Sequence, residues 1–187
     1  MLSRLSLCMS LLLLFASIAV AQEEMPPMPE IDGEVIASGL NGPMGLHVDA
    51  DGNLLIVDSG VGGDETIDFT NPTTFEVSPA SYGLTSHVIK VMEDGTQEEI
   101  MALASVVSGE DAVGGARVTT LNGEVYVTVG SWQINSGEEI PLSNYTAVVT
   151  TSEDDVTTVA DMWAFELENN PDGTDNIESH PYDIEAG

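Results

Sequence analysis

Three histidines, His47, His87 and His180, and two cations beyond the N-terminal leader, Lys90 and Arg117, are the side chains of this sequence that offer an imidazole base or an anion clamp. Against them stand 32 acidic residues. Metal-assisted or cofactor chemistry needs converging oxygen ligands together with a base or a clamp. The acids here are scattered, and His47 and His87 lie in alternating strand patterns, where a hydrogen-bonded structural role is expected. No catalytic residue is assigned from the sequence. Asp49-Ala50-Asp51-Gly52-Asn53 offers calcium-type ligands but is too short for a helix-loop-helix site and lacks its closing Glu, so it reads as a tight hairpin. Calcium stays open as a cofactor through the other carboxylates.

The formal net charge is −29. Residues 1–21 carry one cation, Arg4, then an apolar run closing on Ala19-Val20-Ala21, the three parts of a secretory signal peptide. The run is shorter than the ~20 residues a membrane span requires. Removing it takes one of three basic residues and no acid, leaving −30. Such a charge excludes nucleic acid, whose phosphates need the opposite sign. It fits either a solvated surface that keeps a secreted protein soluble in salt or, with clustering, divalent-cation binding. Cys8, the one cysteine, falls within the leader, so the mature chain is held by packing without disulfides, outside the cytoplasm, in an extracellular or periplasmic setting. Residues 22–33, proline-rich, read as a flexible lead-in.

The elements that would position any site begin at Ser38–Gly60. Within Ile31–Ser38 a short strand, EVIAS (Glu34–Ser38), leads to the loop Gly39–Pro43. Gly45–Asp49 and Asn53–Asp58 then read as two strands joined by an Asp-Gly turn, with Gly52 supplying positive φ. Leu54–Val57 is uniformly apolar, as in a strand covered on both faces. Ser86–Gly95, a turn at Asp94-Gly95, and Thr96–Leu103 complete a four-stranded unit. The layout returns about seventy residues on, in GGARVTTLNGEVYVTVG from Gly114, with an Asn122-Gly123 turn and Val125, Val127 and Val129 on one face. A unit that buries its faces only by stacking on copies of itself is a β-propeller blade.

Each copy is followed by a long insertion, Ser59–Thr85 and Ser131–Thr151. The first is glycine-rich and polar, of a length usually functional or disordered. Insertions at equivalent places in a repeat fall on one face, often the binding face. Asn144-Tyr145-Thr146 fits a glycosylation acceptor. Over Ser152–Asn169, Val156, Val159, Ala160, Trp163, Ala164 and Leu167 recur at helical steps behind Ser152–Asp155, predicting an amphipathic helix on the surface with Trp163 packed inward. The competing strand would place Trp163, Phe165 and Leu167 on one face. Ser179–Ile184 repeats the layout of Asn41–Leu46 and opens a third copy. The expected fold is thus all-β, a partial propeller of about two and a half blades over residues 34–187, an incomplete ring.

Ser38-Gly39-Leu40, Pro43–Leu46, Asp51–Val57, Gly62-Gly63-Asp64, Tyr82–Thr85, Phe165-Glu166, Asn169–Gly173 and His180-Pro181-Tyr182 together resemble the ScyD/ScyE family. These are secreted propellers named for an association with biosynthesis of the pigment scytonemin. The likeness spans roughly Glu34 to Ile184, and its most specific part is Asn-Asn-Pro-Asp-Gly ahead of His-Pro-Tyr. It implies a six-bladed ring of about twice this length and carries over no catalytic residues.

Two functions follow. The first is a scaffold that binds a small molecule, glycan or protein on its insertion-bearing face, with Asn41, Met44, Asp58, Asp64, Trp132, His180 and Tyr182 around one mouth. In this reading Asp58 alternatively caps a loop and Trp132 is alternatively core. The second is a calcium-dependent lactonase or a quinoprotein sugar dehydrogenase, propellers that open blades with a similar Gly-Leu-x-x-Pro-x-Gly-Leu phrase, with its site partly in further blades.

Overall fold

The computed structural model describes residues 32–152 and 155–186. The leader, its Arg4 and Cys8, and most of the lead-in lie outside the described residues. In chain order the elements are β1 (Pro43–Val48), β2 (Leu54–Asp58), β3 (Glu65–Thr70), β4 (Val77–Val91), β5 (Gln97–Ser108), β6 (Asp111–Val113), β7 (Gly115–Leu121), β8 (Glu124–Val129), β9 (Trp132–Gln133), a 3-10 turn at Ile134–Ser136, β10 (Ala147–Ser152), β11 (Asp155–Asp161), α1 (Met162–Asn169) and β12 (Glu178–Ser179). All strand pairs are antiparallel. No helix among the described residues is long and apolar enough to cross a membrane.

The first sheet forms as its turns dictate. Asp49 Oδ1 accepts the N–H groups of Asp51 (3.0 Å) and Asn53 (2.9 Å), and Gly52 takes φ 87°, so the chain reverses and Leu46 meets Ile56. Burial works to raise the Asp49 carboxyl pKa. Hydrogen bonds from the Asn53 side chain and from both backbone groups, with Lys90 3.5 Å away, outweigh it and hold the group below its ordinary value. β2 pairs with β4, and β4 with β5 around Gly95 at φ 83°. The order β1-β2-β4-β5 is the four-stranded unit expected.

Two expectations need correction here. Glu34–Ser38 joins no ladder; Val35 and Ile36 are exposed, and the Ser38 N–H is held by Gln97 Oε1 at 3.1 Å. The first insertion is neither structureless nor a plain loop. β3 pairs with the leading half of β4, from Glu65↔Tyr82 to Thr70↔Val77, so that one 15-residue strand runs from the sheet into a ribbon. β5 follows it past a bulge between Gly83 and Ser86, and β6 folds back on β5. Ile67 and Phe69 turn inward while Thr66 and Asp68 face out, a period of two in a stretch otherwise dominated by glycine and polar residues.

The second sheet has the order β11-β10-β8-β7. Its first hairpin turns on Asn122 (φ 54°) and Gly123 (φ 85°), and it carries a bulge between Gly115 and Arg117 where the first sheet has one between Pro43 and Gly45. The expected helix over Ser152–Asn169 is corrected: Asp155–Asp161 is a strand against β10, and only Met162–Asn169 is helical. Val156-Thr157-Thr158-Val159 is β-branched throughout and has a strand beside it, which decides against the helix. The strand alternative fails further on, because Asp161 caps Ala164 N–H (2.8 Å) and starts α1, which Asn170 ends at φ 36°. Trp163 is buried and donates Nε1–H to Glu138 O at 2.7 Å, a packing role.

Leu55, Val57, Val88, Met101 and Leu103 of the first sheet share one buried cluster with Val118, Val127, Val129, Ala147 and Val149 of the second. Each Val, Leu or Met of this cluster, fully buried, contributes about 1.5–3 kcal/mol, so this core outweighs the few polar bonds between the sheets. Where β1 meets β7 the backbones nearly touch: a Cβ on Gly45 would lie 2.6 Å from Ala116 O. His47 Nε2 pairs with Thr120 Oγ1 at 2.9 Å, and Arg117 donates to Met44 O at 2.6 Å. The two insertions also meet. Thr70 N–H donates to Ser136 Oγ at 2.7 Å, and Phe69 tilts against Trp132 with ring centroids 5.9 Å apart.

Candidate ligand cleft

A small, shallow cleft, open to solvent, lies where β1, β7 and the chain leaving β2 and β8 come together. Met44 and Tyr182 give it apolar walls, Ser59, Ser131 and His180 its polar side chains, and Gly114–Ala116 a run of backbone along its lining. Small residues are needed on that run because a Cβ on Gly115 would fall 2.5 Å from Val57 Cγ1.

Ser131 is placed by what precedes it. Gly130 takes φ 78°, and a Cβ there would sit 2.8 Å from the Tyr145 ring, so glycine turns the chain at the end of β8 and releases Ser131 toward the cleft. Burial pushes the Tyr145 phenol above its ordinary range, against a backbone hydrogen bond from Ser131, and its hydroxyl donates to Val113 O at 3.2 Å. His180 is placed from the other side. β12 pairs with β9, Ser179 opposite Trp132, so the residue after one strand faces the residue before the other. The result is Ser131 Oγ 2.7 Å from His180 Nε2. His180 also stacks with Tyr182, centroids 6.0 Å apart at 27°. Burial lowers the His180 pKa, against the charge of Glu178, and the ring is therefore neutral at neutral pH. In the Nδ1-protonated tautomer, Nε2 accepts the serine proton.

Of the seven residues expected around one mouth, Met44, His180 and Tyr182 gather in this cleft. Asn41 and Asp58 line a separate hollow beside His87 and Glu99. Asp58 is 2% exposed and is consumed by the fold: its carboxylate accepts Asn41 N–H (3.2 Å) and His87 N–H (2.9 Å), the loop-capping role. Trp132 is core, 1% exposed, with Nε1–H donated to Gly137 O at 2.9 Å. Asp64 is exposed just ahead of β3, away from the cleft lining. The single mouth therefore reduces to three of the seven, because strand ends that look alike in sequence spend their polar groups differently. Ser131 was missed. Its signal is positional: it follows the second strand of its hairpin after a glycine, much as Ser59 follows the first copy's.

Among the described residues no three His, Cys, Asp or Glu side chains are grouped to hold a metal ion, so the calcium reading finds no ligand set there. Lys90 and Arg117 are engaged with Asp49 and with backbone carbonyls. No protein-family model matches the chain, and neither a characterised protein nor a solved structure matches it significantly.

Proposed function

We propose that the chain is a section of a secreted β-propeller of the ScyD/ScyE type, and that the cleft between its two sheets binds a small neutral molecule or the end of a glycan. The observation that carries this is the repetition of one unit, bulge included, with both insertions leaving equivalent strands and touching each other through Thr70 and Ser136. Leu46 (68% exposed) and Val48 (62%) on the face of β1 turned from the second sheet suit a further wedge packing there. Secretion rests on Arg4 and the apolar run behind it.

A neutral ligand suits a cleft whose lining contains no Asp, Glu, Lys or Arg. The chain's net charge of −29 repels anions, and the cleft's one imidazole is uncharged. Recognition then falls to the hydroxyls of Ser59 and Ser131, the glycine backbone, and stacking on the half-exposed ring of Tyr182. The test is a screen of monosaccharides and neutral aromatic fragments by methyl NMR on the full chain. Shifts confined to Met44, Ala112, Val113 and Ala116, and lost in Tyr182→Ala, are expected. Shifts scattered elsewhere, or none across the library, would sink the reading.

A further inference from the structure

We propose that Ser131 and His180 are a nucleophile and base that accept the acyl group of short uncharged esters entering the cleft. This rests on the cleft being a ligand site and adds a reaction to it. Contacts between serine and histidine are common on protein surfaces; three features set this one apart.

The geometry is fixed by backbone ladders. Ser131 immediately precedes β9 and His180 immediately follows β12, and those two strands pair with Ser179 opposite Trp132, so the 2.7 Å separation is set by strand register. Gly130 on one side and the Tyr182 stack on the other hold the two side chains at that distance. The pair also lies on the wall of a cleft to which Met44, Pro72 and Val113 add apolar surface, so an acyl chain has somewhere to sit beside the hydroxyl. Finally, the charge state is right. A half-buried neutral imidazole has a free lone pair for the serine proton, and the Glu178 carboxylate, which favours the protonated ring, stabilises the imidazolium once it forms.

The reaction balances without any other reagent. Ser131 Oγ bonds to the ester carbonyl carbon as its proton passes to His180 Nε2. The tetrahedral intermediate collapses with cleavage of the ester C–O bond, and the departing alkoxide takes the proton from Nε2. Water then attacks the acyl-serine, giving its proton to His180, and the carboxylic acid leaves as Oγ is reprotonated. The net change is ester and water to acid and alcohol. The small size of the cleft and a lining without Asp, Glu, Lys or Arg suit short neutral acyl donors.

The full chain is treated with an uncharged alkyl fluorophosphonate and mapped by peptide mass spectrometry, and p-nitrophenyl acetate hydrolysis is followed in parallel. Expected are one adduct, on Ser131, and hydrolysis that falls by about 10²-fold or more in both Ser131→Ala and His180→Gln. In the wild type, the rate rises with pH as His180 loses its proton. No adduct on Ser131, or equal hydrolysis by wild type and Ser131→Ala with circular dichroism unchanged, overturns the proposal. Methyl NMR separates the two readings: fragment shifts at Met44 without an adduct leave the binding cleft standing and remove only the nucleophile, whereas loss of both removes the cleft.

Discussion

The two sheets begin with the same hairpin, with a bulge at the same place, and then diverge at one position. In the first, the strand pair next to the bulge ends on Pro43 and Asp58; in the second, on Gly115 and Val129. Asp58 is buried and ties together the loop at Asn41 and the strand at His87, whose ring is bracketed by Asp58 at 3.7 Å and Glu99 at 3.6 Å. Val129 is fully buried core and binds nothing polar. The polar residue of the second copy comes later, at Ser131, and faces a histidine from the far end of the chain. A repeat can thus keep its framework and move its polar groups by two residues, which separates a structural clamp from a candidate site.

The sharpest way to break that contrast is to give the first sheet the second's residue type. Asp58→Ala leaves the part-buried N–H of His87 and the loop N–H at Asn41 without their acceptor, and each hydrogen bond to a charged group contributes about 1.5–3 kcal/mol. Urea unfolding should lose about 3 kcal/mol, whereas Ser131→Ala should lose under about 1 kcal/mol because its partner His180 is only half-buried. Equal losses would erase the distinction drawn between clamp and site.

Next in size is the seam between the sheets. Gly45→Ala puts a methyl 2.6 Å from Ala116 O and 3.0 Å from Arg117 Cα, both backbone, so the sheets must separate. Overpacking of this kind costs about 1–3 kcal/mol. Amide exchange should rise in β1 and β7 more than in β10 and β11; a uniform change would argue against a seam at Gly45.

The hairpins of both sheets are legible because their signals are local. The turns at Gly52, Gly95 and Gly123 are each written in two or three adjacent residues and all take positive φ. What was illegible depends on partners distant in sequence. β3 looked like loop because its glycine and proline neighbours mask Ile67 and Phe69, and only pairing with β4 makes it a strand. The apparent helical spacing from Val156 to Leu167 runs across a strand and a helix joined at Asp161, where one capping carboxylate decides the boundary. The Ser131–His180 contact joins residues 49 apart and exists only because β12 returns to β9.

The insertions differ as well, and a smaller change tests that. The first is zipped into a ribbon with Asn71 fully used: Nδ2 donates to Ser108 O (2.9 Å) and Asp111 Oδ2 (3.0 Å), and Oδ1 accepts from Thr73 and Thr74. In the second, Gln133 is 2% exposed and both its amide atoms lack a protein partner. An unpaired buried amide costs about 1–3 kcal/mol, offset in part by any water it holds. Gln133→Met keeps the length and removes the polar atoms, and should stabilise the chain by about 1 kcal/mol in thermal unfolding. Destabilisation would mean that the amide is satisfied by solvent.

The smallest effect concerns protons and again divides the sheets. Burial depresses His180 below its ordinary value in the folded chain, while in the unfolded chain it titrates near about 6.5. Between those two values the unfolded state binds more protons, so stability rises with pH across that window. The His180 contribution is complete above about pH 6.5 and is lost as pH falls through the folded value. The imidazolium can still donate to Ser131 Oγ, so the loss reflects desolvation of charge and not a broken bond, and the charge of Glu178 limits it. Subtracting the pH profile of His180→Gln from that of wild type isolates this slope from the acidic residues common to both. A positive difference slope below pH 6.5 is expected. A flat difference would place the ring in water, and with it would go the neutral acceptor that pairs Ser131 with His180.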